Sequence, residues 1–193
     1  MAAVIIDMKI IDIDHAIQLV EIQQEDSAAI FKLINSERNY LQKWLPFVHW
    51  TKEIADTETY VLSLINAPAG LYEYVFTIGD NGKTIGLIGF VRTERHNRKS
   101  EIGYWLSENY QGKGIMTRSV KALCKFGFGE LQLNRIQIKC AVGNLSSSNI
   151  PKRLSFMFEG IERQGELQAD GTFKDLEVYS LLARDFKHDL IRF

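Results

Sequence analysis

Between Glu25 and Asn35 the apolar residues Ala28, Ala29, Phe31, Leu33 and Ile34 form a loose stripe at helical spacing, entered through Asp26 and Ser27 as caps, which predicts a first helix. An aromatic-rich run from Leu41 to Trp50 follows. Pro46 ends any helix there, Thr51 is placed to cap a second one running to about Ile65, and Pro68 with Gly70 breaks that one. Tyr72 to Ile78 is β-branched and aromatic, Asp80-Asn81-Gly82 is a strong hairpin turn, and Thr84 to Arg92 is the returning strand. A loop from Thr93 to Ser100 leads to a third strand, Glu101 to Leu106. After Gln111-Gly112-Lys113-Gly114 the stripe Val120, Leu123, Cys124, Phe128 marks another helix. Arg135 to Val142 alternates as a strand, with Ile136, Ile138, Cys140 and Val142 on one face. A short helix from about Ser146 to Leu154 and two strands, Phe158 to Leu167 and Phe173 to Leu182 about the turn Ala169-Asp170-Gly171, complete the pattern. Helices, three antiparallel strands, helix, strand, helix and hairpin make a mixed α/β or α+β architecture. No repeat, low-complexity run or linker divides it, so one domain over residues 1–193 is expected.

Composition narrows the classes. With 23 Lys+Arg against 24 Asp+Glu the formal charge is −1, which excludes a globally basic nucleic-acid binder. Three prolines, 11% aromatics and the absence of charge blocks exclude a disordered or fibrous chain. The apolar stretch Ala2 to Ile6 is closed by Asp7 with no basic region before it, so neither a signal peptide nor a membrane span is expected. Cys124 and Cys140 have no metal-ligand or Cys-x-x-Cys spacing and point to the reducing cytoplasm. His15, His49, His96 and His188 are scattered, and no metal is expected.

One stretch carries chemistry. Tyr110-Gln111-Gly112-Lys113-Gly114-Ile115-Met116-Thr117 lies between a strand and a helix, where glycines let backbone approach an anion and the helix's first-turn N–H groups favour negative charge. From Asn109 to Gly129 there is no acidic residue, while Lys113, Arg118, Lys121 and Lys125 give a local +4. A solvated basic face would explain the same residues, but that balance suits a phosphorylated ligand. The stretch lacks the Gly-Lys-[Ser/Thr] ending of a P-loop, since Gly112-Lys113 is followed by Gly114 and then Ile115. It also lacks Gly-x-Gly-x-x-Gly, and the preceding strands are antiparallel, so neither a nucleotide triphosphatase nor a Rossmann dehydrogenase is supported.

The stretch resembles motif A of the GNAT superfamily, Gln/Arg-x-x-Gly-x-Gly/Ala, as Gln111-x-x-Gly114-x-Met116. It is most similar to the form found in RimJ/RimL-type protein N-terminal acetyltransferases, with which Met116 agrees although it departs from the wider pattern. Trp44-Leu45-Pro46-Phe47 upstream resembles that subfamily's Trp-Leu-Pro-aromatic segment. Asn144-x-x-Ser147-x-x-Ile150-Pro151-x-Arg153, Phe156-x-x-Glu159-Gly160, Asp175 and Tyr179 resemble its later signatures. Ser155 stands where the subfamily usually has glycine.

The resemblance implies a mostly antiparallel twisted sheet with a V-shaped splay between two parallel strands, flanked by helices. It implies acetyl-coenzyme A as cosubstrate, with its pyrophosphate on the backbone from Gln111 through Gly112, Lys113, Gly114, Ile115 and Met116 to Thr117. Its pantetheine would run along Tyr104, Trp105 and Leu106 and bond to Asn144. It further implies a protein N-terminal amine as acceptor and a homodimer. Direct transfer needs a neutral amine, a contact for the oxyanion and a proton for the departing thiolate. By resemblance Ser147 is the acid toward the thiolate and Glu166 the base, through water. As residues alone, Ser147 also reads as a helix N-cap within the cluster Asn144, Ser146 to Ser148, and Glu166 as a solvated strand residue. Glu101 is a second base candidate, or an exposed cross-strand charge. Cys140 is assigned to the pocket wall. Trp44, Phe47 and Trp50 wall the acceptor site or pack the first helices, and Arg92, Arg95, His96, Arg98 and Lys99 bind an acidic group or are merely solvated. A small amine such as a polyamine or aminoglycoside, and a coenzyme-binding protein without turnover, stay open as rivals.

Overall fold

Alternation of side chains in β-branched segments builds one sheet, described by a computed structural model over residues 8–68 and 70–186. Ala2 to Ile6, Asp7 and His188 lie outside those residues. The strands are β1 (Ile10–Asp12), β2 (Ile17–Glu21), β3 (Val75–Asp80), β4 (Lys83–Glu94), β5 (Lys99–Leu106), β6 (Arg135–Ala141), β7 (Met157–Leu167) and β8 (Phe173–Leu182), in the order β1-β2-β3-β4-β5-β6-β8-β7. The helices are α1 (Ser27–Ser36), α2 (Arg38–Leu41), α3 (Ile54–Ile65), α4 (Ile115–Gly129) and α5 (Leu145–Arg153).

Two strands, β1 and β2, depart from the sequence reading, which begins at the first helix. On β2 the core-facing positions are Ile17, Leu19 and Glu21. A carboxylate at the third inward position obscures the alternation. Glu21 is buried because the Tyr72 hydroxyl and the Lys9 backbone N–H both donate to it. The expected caps also shift. Helix α3 starts at Ile54 under a capping box of Glu53 and Asp56, while the Thr51 hydroxyl donates to the Phe47 carbonyl at 3.1 Å. The long loop expected after Arg92 is a tight turn, since β4 runs to Glu94 and β5 starts at Lys99. Val142 is exposed rather than on the buried face, because β6 ends at Ala141.

The sheet is antiparallel except between β5 and β6. Those two pair in parallel only at Lys99↔Arg135, Ser100↔Ile136 and Glu101↔Gln137. Beyond Glu101, β5 stays with β4 as far as Gly86↔Leu106, and β6 stays with β8 as far as Ala141↔Leu176. The two inner edges therefore diverge as a V. One core lies under α4, with Val120, Leu123 and Cys124 fully buried against Phe90 and Ile136; the other lies under α1 and α3, around Ile30, Val61 and Trp105. Each such side chain contributes about 1.5–3 kcal/mol relative to exposure. Glu37, at the junction of α1 and α2, accepts from the Ser107 hydroxyl and, at 2.8 Å, from the Glu108 backbone N–H, which ties the helical layer to the loop before α4.

Candidate active site

The open end of the V is a cavity of about 610 Å³. Gln111, Gly112, Gly114, Ile115, Met116 and Thr117 line one end, Tyr104, Trp105 and Leu106 one side, and Asn144 and Ser147 the other. Gly112 and Gly114 are both left-handed (φ +72° and +70°), which turns successive N–H groups to one side. Gly114 caps α4 without a side-chain bond, so the first-turn N–H groups of the helix are left for a ligand. A Cβ at Gly112 would meet nothing within 4 Å. This is an open cradle of backbone donors at a positive helix end, and it fits a diphosphate.

The basic surplus is smaller than the sequence count. Arg118 pairs with Asp14 at 3.1 Å and also donates to the Lys113 carbonyl at 3.1 Å, bracing the cradle from behind. Asp14 is held below its ordinary pKa chiefly by the backbone N–H groups of Ala16 and Ile17, with Arg118 adding to them. Lys113 is not in the cavity lining; its ammonium sits 4.9 Å from the Tyr110 ring centroid.

Where Tyr104 and Ser147 meet across the V, three polar side chains converge. The Ser147 hydroxyl lies 3.2 Å from Cys140 Sγ and donates to the Tyr104 hydroxyl at 3.2 Å, while Tyr104 donates to the Ser147 carbonyl at 3.1 Å. Burial pushes the Cys140 thiol up and the Tyr104 phenol well up, so both are neutral proton carriers near pH 7. The sequence reading puts Cys140 in the pocket wall, but it is buried and lines neither cavity, so it packs behind Ser147, and a neutral buried thiol is no nucleophile. The two readings of Ser147 separate here: Asn144 caps α5, its side chain accepting from the Ser147 N–H at 3.2 Å, and the Ser147 hydroxyl is left to face Tyr104 and Cys140.

Glu166 is not brought to this cluster. It sits on β7, in the lining of neither cavity, and accepts from the Gln168 amide at 3.0 Å. Its neighbour across the ladder, Lys174, reaches 5.0 Å from the Trp44 ring centroid, and Trp44 does line the first cavity. Glu101 is not the exposed charge expected. It is half-buried at the crotch of the V, accepting from Gln137 at 2.9 Å, with the Lys139 ammonium 3.8 Å away. Phe47 and Trp50 line a second cavity, on which Tyr104 and Trp105 also border. The basic run near β5 is engaged structurally: Arg95 donates to the Tyr72 carbonyl, Arg98 to Gln132 at 2.7 Å, and Lys99 pairs with Glu94 at 2.9 Å. Among the described residues no group of three His, Cys, Asp or Glu is arranged to hold a metal, and no helix is long and apolar enough to cross a membrane. Tyr40 and Glu37 escape a sequence reading. Tyr40 accepts from the Gln111 amide across a gap of 71 residues, and no local pattern marks such a contact.

Comparison with known proteins agrees with this geometry. The Acetyltransferase (GNAT) domain family matches residues 17–157. The chain is 36% identical to YdaF of Bacillus subtilis (strain 168) over 168 residues, 86% of this chain and 91% of that one. It is 29% identical over 170 residues to the ribosomal-protein-serine acetyltransferase of Escherichia coli (strain K12), covering 88% and 94% of the two chains. Among solved structures, RimL, the ribosomal L7/L12 alpha-N-protein acetyltransferase in complex with coenzyme A, superposes with a TM-score of 0.85 at 27% identity, over 90% of this chain and 98% of that one. A family match over most of the chain, and a splayed sheet shared with a coenzyme A-bound relative, show that this chain belongs to the GNAT acetyltransferase family and is an N-acetyltransferase of its RimJ/RimL type.

Proposed function

We propose that the protein transfers acetyl from acetyl-coenzyme A directly to the α-amine of a protein N-terminus. The observation that supports acetyl transfer is the position of the Ser147 hydroxyl, free of capping duty, in the cavity lining and set between Cys140 and Tyr104, and the N-terminal acceptor is supported by the likeness to the ribosomal-protein-serine acetyltransferase. Acetyl-coenzyme A supplies the thioester and is the cosubstrate. The backbone from Gln111 to Thr117 holds its diphosphate, Tyr104 to Leu106 and Asn144 line its arm, and N–H groups on the unpaired inner edge of β5 take the developing oxyanion charge. Ser147 gives its proton to the departing thiolate sulfur and is reprotonated by solvent water before the next turnover. Glu166 is assigned by its sequence match alone as the base that draws the amine proton away through water, since it lines neither cavity.

The test is a panel of peptide N-termini and small amines, including spermidine, read by free-thiol release and by acceptor mass. Peptides are expected to react. Ser147→Ala is expected to lower kcat about 100-fold, and Glu166→Gln by a similar factor, with acetyl-coenzyme A affinity retained. Full turnover in both variants refutes the assigned roles. Reaction with spermidine alone refutes the protein acceptor, and binding without turnover of any amine refutes transfer.

A further inference from the structure

The coenzyme site does not use all of the space around β5. A second cavity, of about 560 Å³, opens on the α1 and α3 face of that strand, and no residue from Gln111 to Thr117 lines it. Leu45, Tyr104 and Trp105 line both cavities, so the two share a wall at the stretch of β5 that lines the coenzyme arm. At the mouth of the second stand exposed aromatic rings, Trp50 at 63% and Phe47 at 40% exposure. Large apolar groups left open to water at a cavity mouth mark a surface that binds a further molecule.

Three observations define the occupant. The first is the side of entry. The anion cradle lines only the first cavity, and the exposed rings stand at the solvent side of the second, so the second is open to the reactant that arrives from solvent, the acceptor. Polarity is the second. The lining is largely aliphatic, with Ile30, Ile34, Val75, Leu87 and Val91. Asp56 is the one charged side chain in it among the described residues, and its carboxylate is already engaged by the backbone N–H groups of Lys52 at 2.7 Å and Glu53 at 2.9 Å as the α3 cap. The lining of the first cavity holds no carboxylate among the described residues. A polyamine's second cation, or a charged side chain, would lose its hydration here with poor return, whereas an apolar group gains by each part of its surface that it buries. The third is room. Gly89 and Gly103 lie opposite each other on β4 and β5 and both line the cavity. At Gly89 a Cβ would fall 2.8 Å from Val75 Cα, so packing requires the glycine. At Gly103 it would fall 3.7 Å from Val91, an ordinary contact, so this glycine is required by no neighbour; what it provides is space on the face of β5 that Trp105 shares. A side chain as short as that of serine would leave most of this space unfilled.

We infer that this cavity receives the side chain of the acceptor's first residue and selects a large, uncharged, apolar one, leucine- or phenylalanine-like in chemistry, with Trp50 and Gly103 as specificity residues. The inference deepens the N-terminal acceptor reading and rests on it for the placement of the amine.

The experiment uses peptides identical except for a first residue of Ser, Leu, Phe or Lys, with the amides of the same four amino acids in parallel and hexanoyl-coenzyme A as an alternative donor to the Ser peptide. The Leu and Phe peptides are expected to exceed the Ser peptide by about 10-fold or more in kcat/KM, and the Lys peptide to do no better than Ser. Trp50→Ala removes an exposed ring and spares the core. It should raise the KM for the Leu and Phe peptides by about 3- to 10-fold, while the Ser peptide, the KM for acetyl-coenzyme A and the Tm stay unchanged. Gly103→Ala should lower kcat/KM for Phe more than for Leu, and for both more than for Ser. A Ser or Lys peptide equal to or better than the apolar ones, or a Trp50→Ala effect equal on all peptides, would overturn the inference. Use of hexanoyl-coenzyme A as readily as acetyl-coenzyme A, with no preference among first residues, would assign the cavity to the donor's acyl chain and overturn it as well. Equal reaction of all four peptides sinks the pocket selectivity and leaves the N-terminal acceptor standing. Reaction of the Leu and Phe amides in the expected order, with no peptide acetylated, sinks the protein acceptor and leaves the pocket standing.

Discussion

Ser155 occupies a left-handed conformation, φ +60°, just after α5 and its cap Leu154. RimJ/RimL-type sequences usually have glycine there, and the backbone keeps the glycine geometry although the residue has changed. A β-carbon in that conformation costs about 1–2 kcal/mol, so Ser155→Gly should raise the Tm by about 2–8 °C in a calorimetric scan. An unchanged Tm contradicts the strain. At Glu159 the Arg135 guanidinium, bound through both nitrogens at 2.6 Å, and the Ser180 hydroxyl hold the carboxyl down to about 2 from its ordinary 4.5. A depressed acid stabilises the fold fully above its unfolded value and loses that contribution as pH falls through its folded value. Wild type should therefore lose more stability between about pH 5 and pH 3 than Glu159→Gln does, measured as urea midpoints. The pair is partly exposed, and solvent screening keeps the difference small.

Helix α4 shows what an element demands of one position. Gly127 faces the sheet, and a Cβ there would lie 2.7 Å from Phe90 Cζ and 3.0 Å from Ile136 Cδ1. Gly127→Ala must lift the helix or displace both side chains, at about 1–3 kcal/mol, and the Tm should drop by about 2–12 °C. The same helix carries the anion cradle at its first turn, so acetyl-coenzyme A affinity should fall with it, as titration calorimetry would register. The stripe of α4 is plain in the sequence because Val120, Leu123 and Cys124 repeat at helical spacing toward one core. The hairpin β7–β8 is equally legible from its turn. Strands β1 and β2 are not, since three residues in β1 and an inward carboxylate in β2 give no clean alternation.

At the scale of the molecule, the active cleft is a consequence of strand pairing that stops. β5 and β6 share three pairs, and each then follows its other neighbour, which leaves two unpaired edges facing a common space. A ligand that spans this space binds the folded form alone and must stabilise it. At 100 times its dissociation constant acetyl-coenzyme A should add about 2.7 kcal/mol and raise the Tm by about 5–10 °C, while desulfo analogues with the same diphosphate should give most of that shift. No shift at saturation contradicts the cleft as the coenzyme site.

By itself the sequence determined the helices α1, α3, α4 and α5, most of the strands, and the glycine turn ahead of α4, because period, turn residues and φ requirements act between residues a few positions apart. Tertiary structure decided the rest. Ser147 meets Tyr104 across 43 residues and Glu37 meets Ser107 across 70. The count of four cations near the cradle was a sequence fact, but the pairing of Arg118 with Asp14 across 104 residues set how much charge a ligand meets. Such contacts exist only once the sheet has formed and parted, since closure brings together groups whose local surroundings carry no trace of one another.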